Sequence, residues 1–427
     1  MKKDKGHRGA SVDNTKPVAA KVEKIELNEK HIPLRLVLLI VVILIGITAF
    51  GIFFSSLLNA NPGWMVIEEA NTNYPSIGQD FILNYYVPKT NPTEAKKKIV
   101  SVYSDIVEKA LILFDELNEY EGFNNVYYIN HHVNEEIEVD PVLYNAFKKI
   151  NDANSKNIYL GPIYSQYRNI MSSENNNSAK EFDPKYNDEM KTYFSEIISF
   201  VNNSDISISL LENNTIKLNI NDNYLEYATQ NGIDLFIDFW TLKNAFACDY
   251  MANTLFENGI TGFILSSNDG YNYSVGCDEE LGLEIWTKDG KAKNLVGRLS
   301  FSGTNAFVTY TSSPLEINTD KYYIYYENDD DSKTILDITS RYVSTIDGIA
   351  REATKTYYGY SKDAVVGCAD IAIRILDVFI SDNIDTSKVE ALKNSGIYSL
   401  YLDASGNVVS NLPDTVTFTK ASDIYGE

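Results

Sequence analysis

The chain has 427 residues, of which 44% are hydrophobic and 22% are charged, and its formal net charge is −22. No basic stripe interleaved with aromatic residues occurs, so this charge balance argues against nucleic acid as a partner. The three cysteines and four histidines show no disulfide-framework or metal-ligand spacing and offer no Ser/His or Cys/His nucleophile pair.

The N-terminal region has the pattern of a membrane anchor. Residues 1–35 form a basic tail, and residues 36–58 contain no charged side chain, a length that spans a bilayer core of about 30 Å. The next Lys or Arg is Lys89, so the positive-inside rule puts the tail in the cytoplasm and the rest outside. We therefore expect a single-pass protein of the cell membrane, with a linker at 59–76 and an extracytoplasmic domain at 77–427. The residue usage, rich in Asn, Tyr, Ile and Lys, is typical of an AT-rich bacterial genome.

Helical and strand patterns alternate irregularly along the domain. Strands are predicted at 81–87, 206–220 (a hairpin), 233–240, 260–266, 272–276, 282–287, 305–311 and 321–326. Helices are predicted from about 92 to near Gly122 and at 141–153, 190–201 and 241–258, with a polar loop at 172–187. Intermixed helices and hairpins of this kind favour an α+β fold over a doubly wound sheet.

The stretch 363–381 predicts a buried helix, because it is apolar on nearly every face. Its polar residues Asp370, Arg374 and Asp377 follow at i, i+4 and i+7 and therefore share one stripe. The simplest interpretation is a ladder of Asp–Arg–Asp ion pairs, and the alternative is the wall of a functional site.

Several segments carry a resemblance to one known family. Val139-Asp140-Pro141-Val142-Leu143 matches the family's V-d-p-e-l segment, residues 237–249 match its l-D-l-G-G-i-a-K-G-y-a-v-D segment in part, and residues 369–374 match its A-D-a-l-A-T helix start. In colinear order over about residues 77–417, the chain resembles the FAD:protein FMN transferases, the ApbE-type flavin transferases. The resemblance implies an ApbE-like fold of mixed, largely antiparallel sheets with packed helices.

The resemblance also implies an activity. Family members move FMN from FAD to a Thr or Ser of a target protein with the help of a divalent metal ion. The implied partners are a flavin, an extracytoplasmic flavoprotein acceptor and, through residues 36–58, the membrane. FAD is the implied substrate or ligand, and Mg²⁺ is the metal that the family reaction requires.

Residue-by-residue carry-over assigns candidate site residues. The candidate catalytic residues are Asp337, Asp370 and Arg374, and Asp370 is also the candidate metal ligand. The candidate cofactor-binding residues are Gly78, Asp238, Asn244, Asp249, Ser266, Ser267, Asn268, Thr311 and Ser312.

The departures from the family pattern bear on catalysis. Trp240 stands at the first family glycine, Asn244 at the lysine, with Lys243 one position earlier, and Arg374 at the threonine that partners the metal-binding Asp. A guanidinium cannot ligate a cation, so Arg374 would take the place of the metal if it points into the same pocket, and Mg²⁺ binding is disfavoured. Three interpretations therefore stay open: a transferase with impaired or altered catalysis, a non-catalytic flavin- or nucleotide-binding module, and a membrane-anchored interaction protein.

Overall fold

The structure is a computed structural model that describes residues 62–68, 80–289, 292–311, 321–327, 334–362, 364 and 366–425. The predicted tail (1–35) and the predicted membrane span (36–58) lie outside these residues. Among the residues described, no helix combines the length and the apolar composition that crossing a membrane requires.

Helices and antiparallel strands are mixed along the described part of the chain, as an α+β fold requires. The helices are α1 (Pro92–Phe114), α2 (Val126–His131), α3 (Pro141–Asp152), α4 (Gly161–Met171), α5 (Asn176–Phe182), α6 (Asp188–Asn202), α7 (Asp222–Asn231), α8 (Lys243–Glu257), α9 (Cys368–Phe379), α10 (Thr386–Asn394) and α11 (Ala421–Tyr425). The strands are β1 (Gly63–Ile67), β2 (Phe81–Val87), β3 (Glu136–Glu138), β4 (Ile206–Leu210), β5 (Thr215–Ile220), β6 (Phe263–Ser267), β7 (Tyr271–Asp289), β8 (Ala292–Thr311), β9 (Tyr322–Tyr326), β10 (Ile335–Ser340), β11 (Thr356–Lys362), β12 (Tyr398–Leu402), β13 (Val408–Ser410) and β14 (Thr417–Lys420).

One large antiparallel sheet organises the described residues. Its strands follow the order β1-β2-β6-β7-β8-β11-β12-β13, and β14 also pairs with β8. Helix α8 packs on β6 and β7, helix α9 packs on β8 and β11, and α8 contacts both α1 and α9. The main hydrophobic core therefore lies between this layer of helices and the sheet. Within the layer, α9 packs against α8.

A second, smaller core lies on the face of the sheet opposite the helices, because Phe307 and Tyr358 belong to it whereas their neighbours Val308 and Tyr357 belong to the main core. The strands β7 and β8 continue as a long hairpin past the main core, and its apolar side packs with residues of β11, β12 and the segment before β14. The core residues are Ile285, Leu299, Phe301, Phe307, Tyr358, Tyr360, Leu400 and Val416. The separate strands predicted at 272–276 and 282–287 are therefore parts of one strand.

Part of the segment predicted as a linker belongs to the sheet. Residues Gly63–Ile67 form strand β1 and pair antiparallel with β2, from Gly63 opposite Val87 to Ile67 opposite Leu83. Pro62 and Gly63 suggested a linker, but the alternation after them buries Ile67 against the main core.

The prediction of a strand at 233–240 is wrong, and the side chain of Asn130 explains why. Residues 233–239 form no strand ladder, because the side chain of Asn130 takes the place of a neighbouring strand. Its Oδ1 accepts hydrogen bonds from the amides of Phe236 and Ile237, both at 2.9 Å, and its Nδ2 donates to the carbonyl of Ile237. Buried backbone groups need partners, and a single amide side chain supplies them here.

The polar loop predicted at 172–187 contains a helix. The side chain of Asn175 caps the first turn of α5 by accepting a hydrogen bond from the amide of Ser178, and Ala179 is buried. Asn is a strong helix N-cap, so the helix begins in a stretch whose composition indicates a loop.

Candidate functional site

Helix α9 is buried as predicted. Nine of its residues are buried, among them Ile371, Ile375 and Phe379, whereas Asp370, Arg374 and Asp377 face away from the core. The helix thus carries one polar stripe, and the structure shows what that stripe contacts.

A lysine from another helix joins two of the candidate carboxylates. The ammonium of Lys149, near the end of α3, forms an ion pair with Oδ2 of Asp370, and its Nζ lies 3.5 Å from Oδ2 of Asp249 on α8. The side chain of Asp249 is 10% exposed, whereas those of Asp370 and Lys149 are about one-third exposed, at 33% and 37%. Three helices therefore meet at a single ammonium group.

The carboxylate of Asp249 also caps α9. Its Oδ1 accepts a hydrogen bond from the hydroxyl of Tyr273 at 2.7 Å, and its Oδ2 accepts one from the amide of Ala369 at 3.3 Å. The hydroxyl of Tyr273 accepts in turn from the amide of Cys368. A Cβ on Gly367 would lie 2.6 Å from Oδ2 of Asp249, so only glycine lets the helix start approach this carboxylate.

The charges of this pair of residues are set by burial and by each other. Burial is the largest influence on the pKa of Asp249 and raises it, while Lys149 and the hydrogen bond from Tyr273 oppose that shift. For Lys149, burial lowers the pKa, but the attraction of Asp249 and Asp370 outweighs it, so the pKa is raised. Lys149 is therefore an ammonium at neutral pH.

Arg374 does not point into the pocket to take the place of the metal beside Asp370. Arg374 is exposed and forms no ion pair with any residue that the structure describes, so the Asp370–Arg374–Asp377 ladder is not formed either. Spacing along one helix made Arg374 the nearest cation in the sequence. Lys149 reaches Asp370 from a different helix instead.

The residues present do not fit a divalent metal ion. No group of three or more His, Cys, Asp and Glu side chains in the described part of the chain is arranged to hold one. The two carboxylates nearest the predicted metal position, those of Asp370 and Asp249, are bound by the ammonium of Lys149. A hard divalent cation would need those same oxygens as ligands.

A second charged cluster surrounds Asp238 and is more deeply buried. The guanidinium of Arg168 on α4 donates from Nη2 to Asp238 at 2.6 Å and also to Glu116, and Lys243 lies 3.3 Å from Glu116. Asp238 is fully buried, and Glu116 is 6% exposed. The other terminal nitrogen of Arg168, Nη1, is buried and has no hydrogen-bond partner among the described residues.

Close helix packing brings Arg168 to this position. A Cβ added to Gly161, the first residue of α4, would lie 2.6 Å from the carbonyl oxygen of Leu235. Glycine therefore lets α4 press against the segment that carries Asp238 three residues later. Burial, the largest influence, raises the pKa of Asp238 to about 6, while the attraction of Arg168 opposes the shift.

Trp240 has a left-handed backbone conformation, which glycine adopts more readily than other residues. Its φ is +45°, and its amide donates to Oδ1 of Asp238 at 2.7 Å. The indole stacks on Tyr164 with ring centroids 5.0 Å apart, and the guanidinium carbons of Arg168 and Arg341 lie 4.8 Å and 5.7 Å from its centroid. Protein groups therefore contact the partly buried ring that stands at the family's first glycine.

The β6–β7 turn is held by internal hydrogen bonds. Ser267 donates its hydroxyl to Oδ1 of Asp269 at 2.6 Å and accepts from the amide of Tyr271, and Asp269 pairs with Arg341 at 3.2 Å. Ser266 lies in the ladder opposite Asn272. Ser267 is a candidate cofactor-binding residue, and its hydroxyl proton is used inside the protein.

Three of the remaining candidate residues have their own contacts or positions in the described part of the chain. Asn268 donates its side-chain amide to Asp80 at 2.6 Å, Asn244 is buried at the start of α8, and Thr311 ends β8 opposite Thr356. Gly78 and Ser312 lie outside the described residues.

Asp337 belongs to a third cluster. On β10 it accepts from Lys185 at 3.1 Å and from the hydroxyl of Tyr186 at 3.0 Å. No hydrogen bond or ion pair between residues of the described ranges links it directly to Asp370 or Asp249. The structure thus brings Asp249 and Asp370 together, and it places Asp238 and Asp337 in separate ionic groups.

Sequence reasoning missed the basic residues of both main clusters, Lys149 and Arg168. Their positions did carry a signal, because each lies beside the apolar face of an amphipathic helix. Lys149 follows Ala146 by three positions, and Arg168 follows Tyr164 by four, and both of these neighbours are buried. A charged side chain in such a stripe indicates a buried partner.

Comparison with known proteins gives a likeness in structure. No protein-family model matches the sequence, and no curated protein matches it significantly. The structure is similar to the ApbE protein from Thermotoga maritima, with a TM-score of 0.53 and 13% identity, over 82% of this chain and 97% of that one. It is also similar to the flavin transferase ApbE from Vibrio cholerae, with a TM-score of 0.51 and 11% identity, over 86% of this chain and 99% of that one. At these identities the likeness establishes the fold, which is that of the ApbE flavin transferases.

Proposed function

We propose that this protein binds a flavin nucleotide in the manner of a flavin transferase, and that its transfer of FMN from FAD to a Thr or Ser of a target protein is slowed. The fold covers nearly the whole length of two ApbE proteins, and the motif order of the sequence agrees with it. With residues 36–58 as the anchor, we place this activity outside the cytoplasm, on a flavoprotein acceptor. Loss of the chain from carbonate-washed membranes when residues 36–58 are deleted tests the anchor, and retention would contradict it.

The partly buried indole of Trp240 carries the proposal of slowed transfer. A pair of glycines lets backbone approach a pyrophosphate closely, and here one of them is a tryptophan between Tyr164 and two guanidinium groups. The left-handed backbone of Trp240 is nevertheless the conformation that glycine favours. Glycine is therefore compatible with the backbone at this position, and Trp240→Gly would remove the ring without straining the backbone.

A non-catalytic flavin-binding module is the second candidate. It is favoured because both carboxylates assigned to catalysis by resemblance are paired with lysines, Asp370 with Lys149 and Asp337 with Lys185. The ammonium groups occupy carboxylate oxygens that a metal ion would otherwise use as ligands. Binding of flavin without transfer would support this candidate over the first.

Replacing Trp240 by glycine tests the proposal. We expect the full chain to bind FAD, seen as a change in flavin fluorescence, and to label an acceptor peptide slowly. We expect the Trp240→Gly variant to label it at least about tenfold faster, equivalent to about 1.4 kcal/mol of activation free energy. Trp64→Gly, at the exposed edge strand, is the matched control and should leave labelling unchanged.

Two results would count against the proposal. Unchanged flavin fluorescence up to millimolar FAD and FMN, with an active flavin transferase as positive control, would exclude flavin binding. Equal labelling rates for the folded Trp240→Gly variant and the unchanged protein would exclude Trp240 as the cause of slow transfer.

A further inference from the structure

The three-helix contact at Lys149 has the geometry of a cation site. Two carboxylates from α8 and α9 converge on one positive centre, and one of them, that of Asp249, is almost fully buried. Two carboxylates that share a site repel each other unless a cation lies between them. Here that cation is the ammonium group of Lys149, a side chain of the protein itself.

An ammonium and a divalent ion cannot occupy this place together. Mg²⁺ and Ca²⁺ bind carboxylate oxygens at about 2.0–2.6 Å. The Nζ atom of Lys149 already lies 3.5 Å from Oδ2 of Asp249 and closer still to Oδ2 of Asp370. An ion ligated by both oxygens would be in contact with the ammonium, so one cation excludes the other.

We infer that Lys149 is a built-in counter-cation, which does at Asp249 and Asp370 the charge neutralisation that a divalent metal ion does in flavin transferases. The inference rests on the proposed function only in taking Asp370 as the counterpart of the family's metal ligand. The site is therefore independent of metal, and a divalent cation binds there only when Lys149 is removed.

The chain offers a matched control for this inference. Arg374 is also a cation within one helical turn of Asp370, but it is exposed and pairs with no described residue. If loss of any nearby positive charge attracted metal ions, Arg374→Met would act like Lys149→Met. If the position of the ammonium between the two carboxylates is what excludes a metal ion, only Lys149→Met will allow a metal ion to bind.

Binding of Mn²⁺ to the full chain, without flavin, tests the inference. Electron paramagnetic resonance of free Mn²⁺ gives the dissociation constant. We expect Lys149→Met to bind Mn²⁺ at least about tenfold more tightly than the unchanged protein, a difference of about 1.4 kcal/mol. The added Asp370→Asn change should abolish this gain, and Arg374→Met should bind as the unchanged protein does.

Two outcomes would overturn the inference. One is a folded Lys149→Met variant whose Mn²⁺ binding equals that of the unchanged protein. The other is stabilisation of the unchanged protein by Mg²⁺ relative to EDTA, seen as a higher melting temperature and lost in Asp370→Asn. The second measurement needs no Lys149 variant, so it decides the matter even if Lys149→Met does not fold. Neither measurement involves flavin, so a failure here is distinct from a failure of flavin binding.

Discussion

Replacing Arg168 by methionine should lower the free energy of unfolding by about 3–5 kcal/mol. The substitution removes the cation that contacts both Asp238 and Glu116, which are 0% and 6% exposed, and leaves two buried carboxylates without their shared partner. Lys243 stays near Glu116 but has no ion pair with Asp238. Urea denaturation followed by circular dichroism measures the loss.

The stability loss of the Arg168→Met variant should depend on pH, and it should be larger at high pH. In the native protein the pKa of Asp238 is raised to about 6 by burial against the attraction of Arg168, and removing Arg168 raises it further. In the unfolded state the pKa of Asp238 is about 3.9. Between that pH and its higher pKa in the folded state, Asp238 keeps its proton only when the protein is folded, so the free energy of unfolding falls as the pH rises through this range. The Arg168→Met variant should therefore be less destabilised at about pH 5 than at about pH 8.

Two comparisons separate buried charge from loss of packing. Lys148→Met breaks the exposed pair with Asp152 and should cost less than about 0.5 kcal/mol. Adding Glu116→Gln and Asp238→Asn to Arg168→Met should recover part of the lost stability, because the buried carboxylates are then neutral. A loss below about 1 kcal/mol for Arg168→Met, or no recovery in the triple variant, would contradict this account.

Asp249→Ala should lower the free energy of unfolding by about 3 kcal/mol. The carboxylate caps α9 through the amide of Ala369, accepts from the buried hydroxyl of Tyr273, and holds Lys149. Its removal loses a helix cap, worth about 0.5–2 kcal/mol, and leaves a buried donor unsatisfied, at about 1–3 kcal/mol.

Asp370 provides the control for this prediction. It shares the ammonium of Lys149, but it is one-third exposed and caps nothing, so Asp370→Ala should cost about 1 kcal/mol or less. Thermal and urea denaturation of both variants measure the difference. Equal losses would mean that the ion pair, and not the cap, is what Asp249 contributes.

The sequence predicted best where local pattern decides the structure. The apolar faces of residues 363–381 are those of a buried helix, and the hairpin around Asn213 and Asn214 forms because both residues adopt positive φ. Such elements depend on neighbours a few positions away, which a sequence shows directly.

Local pattern does not show which basic residue pairs with Asp370 and Asp249. Lys149 pairs with residues 100 and 221 positions later in the chain, whereas Arg374 is only four positions from Asp370. The sequence therefore favoured Arg374, although the packing of α3 on the site decides which cation arrives. In the same way, the period of residues 233–240 is that of a strand, but it does not show that the side chain of Asn130 replaces the neighbouring strand.

The second core has a consequence for how the chain is made. Its last contributors are Val416 and the neighbouring strand β14, whose Phe418 packs on it, and both follow β12 in the chain. During synthesis the apolar side of the β7–β8 hairpin is complete long before these residues exist. Until residues 416–420 emerge, that hairpin has an incompletely covered apolar face, and the edge of β8 from Gly297 to Ser300 that does not face β7 is unpaired, the kind of surface that nascent-chain chaperones bind.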